Sequence, residues 1–239
     1  MRTSVVVCAA VAWWSAGGAG PRAEERPPTG RLEGRVILSR DLSTRKPRLR
    51  VYSEYGPGAI PAAGAAETSE LGNVVVYIDS AVPGSGTPAA PGAALTIEQR
   101  NEAFIPHVLP VLVGSTVAFP NRDQVFHNVF SLSSTKTFDL GRFPQNASKS
   151  VRFGKAGVVQ VFCHIHSDMS AVVLVLPNTH FAVPDSTGHY VIEGVPPGDY
   201  RVVAWHERTR RTLQRVNIAA GETTALDFNI PLPAQQTPP

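Results

Sequence analysis

The chain has 239 residues, with 22 Lys and Arg against 19 Asp and Glu and a formal charge of +3. Hydrophobic residues make up 43% and charged residues 17%, enough for a sizeable core; at about 100–200 residues per domain the length allows one large domain or two small ones. The 21 Pro and 20 Gly favour turns over long helices, and the densest basic group (Arg208, Arg210, Arg211 and Arg215) has few aromatics around it and reads as a solvated face, which argues against nucleic acid as a partner.

Residues 1–23 read as an export signal. Arg2 is the charged start, Val5 to Trp14 an apolar run, and Ser15 to Gly20 the small residues for cleavage, with Ala23 a further candidate. The run is too short to span a bilayer, and no stop-transfer pattern follows it. The expected location is periplasmic or secreted. Cleavage would remove Cys8 and leave Cys163 alone in an oxidising compartment, with no intramolecular disulfide.

Residues 24–70 read as an N-terminal strand and a linker. Arg31 to Leu38 alternates enough for a strand, Arg40 to Arg50 is a basic loop, and Val51 to Thr68 is rich in Gly, Ala and Pro. Asn73 to Ile78 is a strand by its β-branched content. A Pro/Gly/Ala loop follows over 81–93. Leu95 to Phe104 has strand character, as do His107 to Val113 and Ser115 to Phe119, with Gly114 as the turn between the last two. Asn121-Arg122-Asp123 is a polar turn before the strand Val125 to Leu132. Shorter pieces lie at 137–141 and 148–153. Val158 to Cys163 and Ala171 to Leu176 close the series. Many short strands separated by turn residues, with no sustained helical period, predict an all-β sandwich over 71–176. After Pro177 the segments 180–183, 190–192, 200–205, 213–218 and 225–230 read as five strands of a second, smaller β-sandwich over 178–233. The Pro/Gln tail, 234–239, reads as disordered.

The chemistry concentrates in Cys163-His164-Ile165-His166-Ser167-Asp168-Met169. Cys163, His166 and Met169 stand at intervals of three, and His127 lies inside an upstream strand. A thiolate, two imidazoles and a weak axial thioether form the donor set that suits copper in electron transfer. The candidate metal ligands are therefore His127, Cys163, His166 and Met169. Consecutive strand side chains face opposite ways, so a metal-facing Cys163 turns His164 away, whereas His166 lies past the strand end, where the loop curls back, and is favoured. Asn128 is placed to hydrogen-bond around the ligands. His107, before an apolar strand, reads as a partly buried polar residue. His180, His189 and His206 read as surface or hydrogen-bonded residues, and Trp205 as core.

From about Leu71 to Leu176 the chain resembles a cupredoxin of the plastocyanin/amicyanin group. The residues that carry the resemblance are Gly114 to Asp123, then His127-Asn128-Val129, then the Cys-x-x-His-x-x-Met loop, which is similar in length to amicyanin's and shorter than plastocyanin's. The resemblance implies a Greek-key sandwich, one type 1 copper, and electron transfer with a redox partner protein in the periplasm or an equivalent compartment. The segment 79–93 and His164 depart from the family pattern. A binuclear centre would need a second cysteine near Cys163, and multicopper oxidases place a histidine where this chain has Phe162. No catalytic triad, paired-carboxylate site or phosphate loop is visible, so the expectation is a protein that is not an enzyme.

Phe181 to Leu232 is similar to carboxypeptidase regulatory-like, transthyretin-like modules, through Asp185, Gly188 and Tyr190 and through Val195-Pro196-Pro197-Gly198-Asp199-Tyr200. Gly30 to Leu38 resembles that family's opening strand, which would make the cupredoxin an insertion. The resemblance implies a docking or spacer role, with an envelope or glycan surface as a contact. Two other readings compete: a copper-delivery protein, and a glycan- or protein-binding module with a vestigial metal site.

Overall fold

The computed structural model describes residues 28–40, 42, 69–83 and 95–231. The expected export signal, most of the linker, the loop beyond 83 and the C-terminal tail lie outside them. The described residues form an all-β fold: eighteen strands and one 3₁₀ turn, Glu70–Asn73, with Arg40 and Leu42 helical after the first strand. The strands are β1 (Gly30–Leu38), β2 (Val75–Ile78), β3 (Leu95–Thr96), β4 (Glu98–Arg100), β5 (Ala103–Ile105), β6 (Val108–Leu112), β7 (Thr116–Pro120), β8 (His127–Ser133) and β9 (Lys136–Phe143). They continue with β10 (Ser148–Arg152), β11 (Gly157–Phe162), β12 (Ser170–Leu176), β13 (Phe181–Ala182), β14 (His189–Val195), β15 (Gly198–Trp205), β16 (Thr212–Ile218), β17 (Thr223–Ala225) and β18 (Phe228–Ile230).

Four sheets carry the architecture. Order β6-β12-β11-β8-β9 faces order β10-β7-β3, and the two enclose a core that includes Val117, Phe119, Val129, Phe153, Val159, Val161 and Val173. Order β13-β2-β15-β16 faces β14-β1-β17, with β18 also paired to β1, around Leu32, Val76, Ile78, Tyr190, Val202, Ala204 and Phe228. The N-terminal strand thus pairs with β14, β17 and β18, strands that lie far downstream of it.

A third cluster joins the two sandwiches. Val75 and Tyr77 of β2 and Val203 and Trp205 of β15 pack with Val108 of β6 and with Val172, Leu174 and Leu176 of β12. Strand alternation explains how one strand serves two cores. Ala171, Val173 and Val175 of β12 enter the core with Cys163, while Val172, Leu174 and Leu176 enter the cluster between the sandwiches. In β15, Tyr200, Val202 and Ala204 face one way and Val203 and Trp205 the other. Strands buried on both faces read as continuous apolar runs, and Val74 to Ile78 and Ala171 to Leu176 do.

Three sequence expectations change. Val75–Ile78, assigned to the first sandwich over 71–176, pairs instead with Phe181–Ala182 and Gly198–Trp205. A strand apolar on both faces carries no pattern that says which sheet it joins. The single strand expected over 225–230 is two, Thr223–Ala225 and Phe228–Ile230; between them the Leu226 carbonyl lies so close to β1 that a Cβ at Gly34 would stand 1.9 Å from it. Arg208, grouped with a solvated basic face, turns inward; its guanidinium donates to the Leu42 carbonyl and to Glu70 Oε1, the latter at 2.8 Å.

Polar contacts between the sandwiches sit beside the third cluster. His107 Nε2 meets Glu207 Oε1 at 2.7 Å, and its Nδ1 meets the Ser170 carbonyl at 2.9 Å. Both partners are acceptors, so both bonds form only when the ring carries two protons. Burial pulls the His107 pKa down, but the hydrogen bond and charge of Glu207 and the Ser170 carbonyl outweigh it and raise it above 6.5. Burial likewise pushes the Glu207 carboxyl up, yet the His107 contact holds it below 4.5. The linkage signs follow. The His107 contribution to stability is full below pH 6.5 and is lost as pH rises through its raised value; that of Glu207 is present above 4.5 and lost as pH falls through its lowered value. Denaturation midpoints measured against pH should therefore lose the acid-end dependence in Glu207→Gln and keep a weaker one at the alkaline end, where the Ser170 carbonyl still favours the charged ring. An unchanged profile would mean the pair is not coupled to folding.

Candidate metal centre

Three of the four sequence-predicted ligands meet at one end of the first sandwich. His127 opens β8 and is held by pairing to Phe143 of β9. Cys163 follows β11, whose last residue Phe162 pairs with both Phe130 and Ser170. The intervening loop is closed by two main-chain bonds: the Cys163 amide donates to the Met169 carbonyl at 3.2 Å, and the Met169 amide to the His166 carbonyl at 3.1 Å. This turn brings His166 back beside Cys163.

Cys163 Sγ lies 4.0 Å from His127 Nδ1 and 3.9 Å from His166 Nδ1. The ligand atoms of His127, Cys163 and His166 all fall within 4.8 Å of one another. The two rings stand edge-on, with centroids 4.9 Å apart. A thiolate and an imidazole bonded to one small divalent ion at roughly 2.3 and 2.0 Å, about 120° apart, would be separated by roughly 3.7 Å. The observed spacing therefore fits a shared ion, and the mixed sulfur and nitrogen donors fit copper. His127 is fully buried, Cys163 is 5% exposed and Met169 1% exposed. Met169 lies in the same apolar cluster as Cys163. The His166 side chain retains 23% exposure, so it is the histidine that reaches solvent.

His164 is not part of this group. It is exposed, and its ring stands edge-on against Phe130 with centroids 3.8 Å apart. His107 is engaged with Ser170 and Glu207. The expected contact of Asn128 with the ligands is also absent: its side-chain amide donates to Asp139 Oδ1 at 2.7 Å.

The supporting groups that the sequence reading missed are acidic. His127 Nε2–H donates to Asp123 Oδ2 at 2.8 Å, which leaves the Nδ1 lone pair facing Cys163. Asp123 also accepts from the Asn101 and Glu102 amides at 2.6 and 2.9 Å. Burial works against its ionisation, but these bonds and that of His127 hold the carboxyl below its usual range. The turn itself hangs on Asn121, fully buried, whose amide donates to the Val125 and Phe143 carbonyls while its oxygen accepts from the Asp123 amide. A second carboxylate, Glu102, stands 4.0 Å from His166 Nε2. The sequence signal was there: Asp123 precedes His127 by four residues across a turn.

No protein-family model and no curated protein matches the chain. Solved structures do, among them amicyanins, a purple cupredoxin and a copper-containing nitrite reductase. A copper-containing nitrite reductase from Thermus scotoductus SA-01 is similar over 42% of this chain and 28% of its own, at 23% identity and a TM-score of 0.35. A copper(I) form of an amicyanin mutant is similar over 42% of this chain and 98% of its own, at 24% identity and a TM-score of 0.34. A purple cupredoxin from Nitrosopumilus maritimus is similar over 34% of this chain and 99% of its own, at 23% identity and a TM-score of 0.32. The chain spans little more than a quarter of the nitrite reductase. The expectation that the protein is not an enzyme is withdrawn: a copper-containing nitrite reductase stands among these neighbours.

Proposed function

We propose that this is an exported, periplasmic or secreted protein that binds one copper ion and carries single electrons. His127, Cys163 and His166 would hold the metal and Met169 would be its weak axial ligand; copper there supplies a one-electron couple. The observation that carries the reading is the buried sulfur of Cys163 with two imidazole Nδ1 atoms at 4.0 and 3.9 Å.

The protein's part is to keep these donors still. Asp123 fixes the tautomer and ring plane of His127, the β8–β9 ladder fixes its backbone, and the two main-chain bonds of the 163–169 loop fix the other ligands. A site that does not rearrange suits rapid electron exchange. The residues before the two histidines, Val125, Phe126 and Ile165, are 45%, 55% and 41% exposed. They would form the apolar surface on which a redox partner protein rests beside His166. We read the second sandwich as a carboxypeptidase regulatory-like module acting as a spacer or docking unit; its Trp205 is 6% exposed and offers no aromatic platform for sugars.

The deciding experiment adds cupric ion to the metal-free protein. An intense visible thiolate-to-copper band and a reversible one-electron wave are expected. Copper bound without that band, or bound and passed irreversibly to an acceptor, would favour a delivery role instead. A second expectation concerns Asp123. Removing a carboxylate that orients a ligating imidazole typically costs about 10–100-fold in metal affinity. Asp123→Ala should show that loss in a chelator-competition titration, and an unchanged affinity would remove Asp123 from the site.

A further inference from the structure

The loop that carries His166 and Met169 runs directly into Ser170, the first residue of β12. Ser170 and Val172 are gripped by one residue of β6's approach, His107. The Val172 amide donates to the His107 carbonyl at 2.7 Å, and His107 Nδ1–H donates to the Ser170 carbonyl at 2.9 Å. The other ring nitrogen of His107 donates to Glu207 Oε1 at 2.7 Å. Glu207 belongs to the other sandwich. It follows Trp205 at the end of β15, and His206 between them is anchored by Nε2–H to Glu70 Oε1 at 2.9 Å, with Arg208 on the same carboxylate at 2.8 Å. The side chains of His107 and Glu207 are 28% and 26% exposed, so the contact is partly shielded from solvent.

We infer that Glu207 and His107 are positioning residues for the metal-binding loop: through them the second sandwich sets where Met169 sits. This rests on the copper reading above for its redox consequence, but not for its mechanical one. Neither residue touches the proposed ion. Glu207 holds the His107 ring in the doubly protonated form that grips Ser170. Ser170 adjoins Met169, and the Met169 carbonyl and amide bind Cys163 and His166. A displacement of Ser170 therefore reaches the axial ligand first, the ligand that tunes potential in sites of this donor set.

The test compares Glu207→Ala, Glu207→Gln and Val203→Ala in the full chain. Val203 packs between the sandwiches without contacting His107 or Glu207 in any hydrogen bond, so it reports general loosening of the interface. In the metal-free protein, amide exchange at Met169 and Val172 should become about tenfold faster in Glu207→Ala, as expected for one lost charge-assisted hydrogen bond. It should change less in Glu207→Gln, whose oxygen can still accept from the ring, and not in Val203→Ala. In the copper-loaded protein, Glu207→Ala should shift the reduction potential and the relative intensities of the thiolate bands while keeping those bands. Native exchange and native potential in both Glu207 variants, or equal changes in Val203→Ala, would overturn the inference. If Glu207→Ala fails to fold, Glu207→Gln carries the comparison through its smaller change, and native exchange at Met169 and Val172 in that variant overturns the inference. If the wild-type chain binds no copper, the copper reading fails by itself and the exchange measurement still decides whether the second sandwich holds the loop.

Discussion

Replacing Cys163 by serine is expected to abolish the visible thiolate-to-copper band completely and to weaken copper binding, while the far-ultraviolet spectrum stays that of a β protein. The band needs a sulfur bonded to the metal, and Cys163 is the free cysteine among the described residues. The hydroxyl of serine is a poor donor for this ion, and with His127 and His166 alone the site loses its short covalent bond. The fold should tolerate the change because Cys163 stands just beyond β11, not within its ladder, and its amide still donates to the Met169 carbonyl. The cost to stability is that of placing a hydroxyl where a sulfur was 5% exposed in an apolar cluster, about 1–3 kcal/mol. The measurements are a cupric titration followed in the visible and a denaturation curve. A band that survives in Cys163→Ser would show that the sulfur is not a ligand and would sink the copper reading.

The proposed ligands were legible because three of them lie in seven consecutive residues and the fourth lies in an evident strand. What separates His166 from His164 is the loop after β11, which curls back through the Cys163–Met169 and Met169–His166 main-chain bonds; the sequence showed it as residues past a strand end. Asp123 and Asn121 were legible only as a polar turn. That one of them reaches back to the His127 ring depends on how the turn closes, and Asn121 closes it through two carbonyls, one of them 22 residues away at Phe143. The pairing of His107 with Glu207 spans 100 residues and two sandwiches, and nothing local announces it. The partition of strands between the sandwiches failed for a related reason. Val74 to Ile78 is apolar throughout because both of its faces are covered, so it lacks the one-sided pattern that assigns a strand to a core.

That double burial gives the second large expectation. Trp205→Ala should lower stability by about 3–5 kcal/mol, the usual cost of emptying a large aromatic from a packed core. Trp205 ends β15, pairs with Val75 of β2, and lies in the cluster that also holds Val108, Val172, Leu174 and Leu176 of the neighbouring sandwich. The cavity would open between the two sandwiches. Neither of the two inner cores would be emptied, so each sandwich should keep its own packing. Wild-type unfolding should then appear as one transition by every probe, because the shared cluster makes the folding of one half favour the other. In Trp205→Ala the copper band, which reports the first sandwich, and the overall β signal should separate into distinct transitions. Leu132→Ser provides the contrast: Leu132 is 77% exposed, and its replacement should stay within about 0.5 kcal/mol of wild type. If Trp205→Ala lowers the midpoint but all probes still coincide, the coupling does not run through this cluster; the polar bridge of His107, Glu207, His206, Glu70 and Arg208 would then be what binds the halves. If it changes nothing, the packing between β12 and β15 is incidental, and the contact of His107 with Glu207 is left as the route from the second sandwich to the loop that ends at Met169.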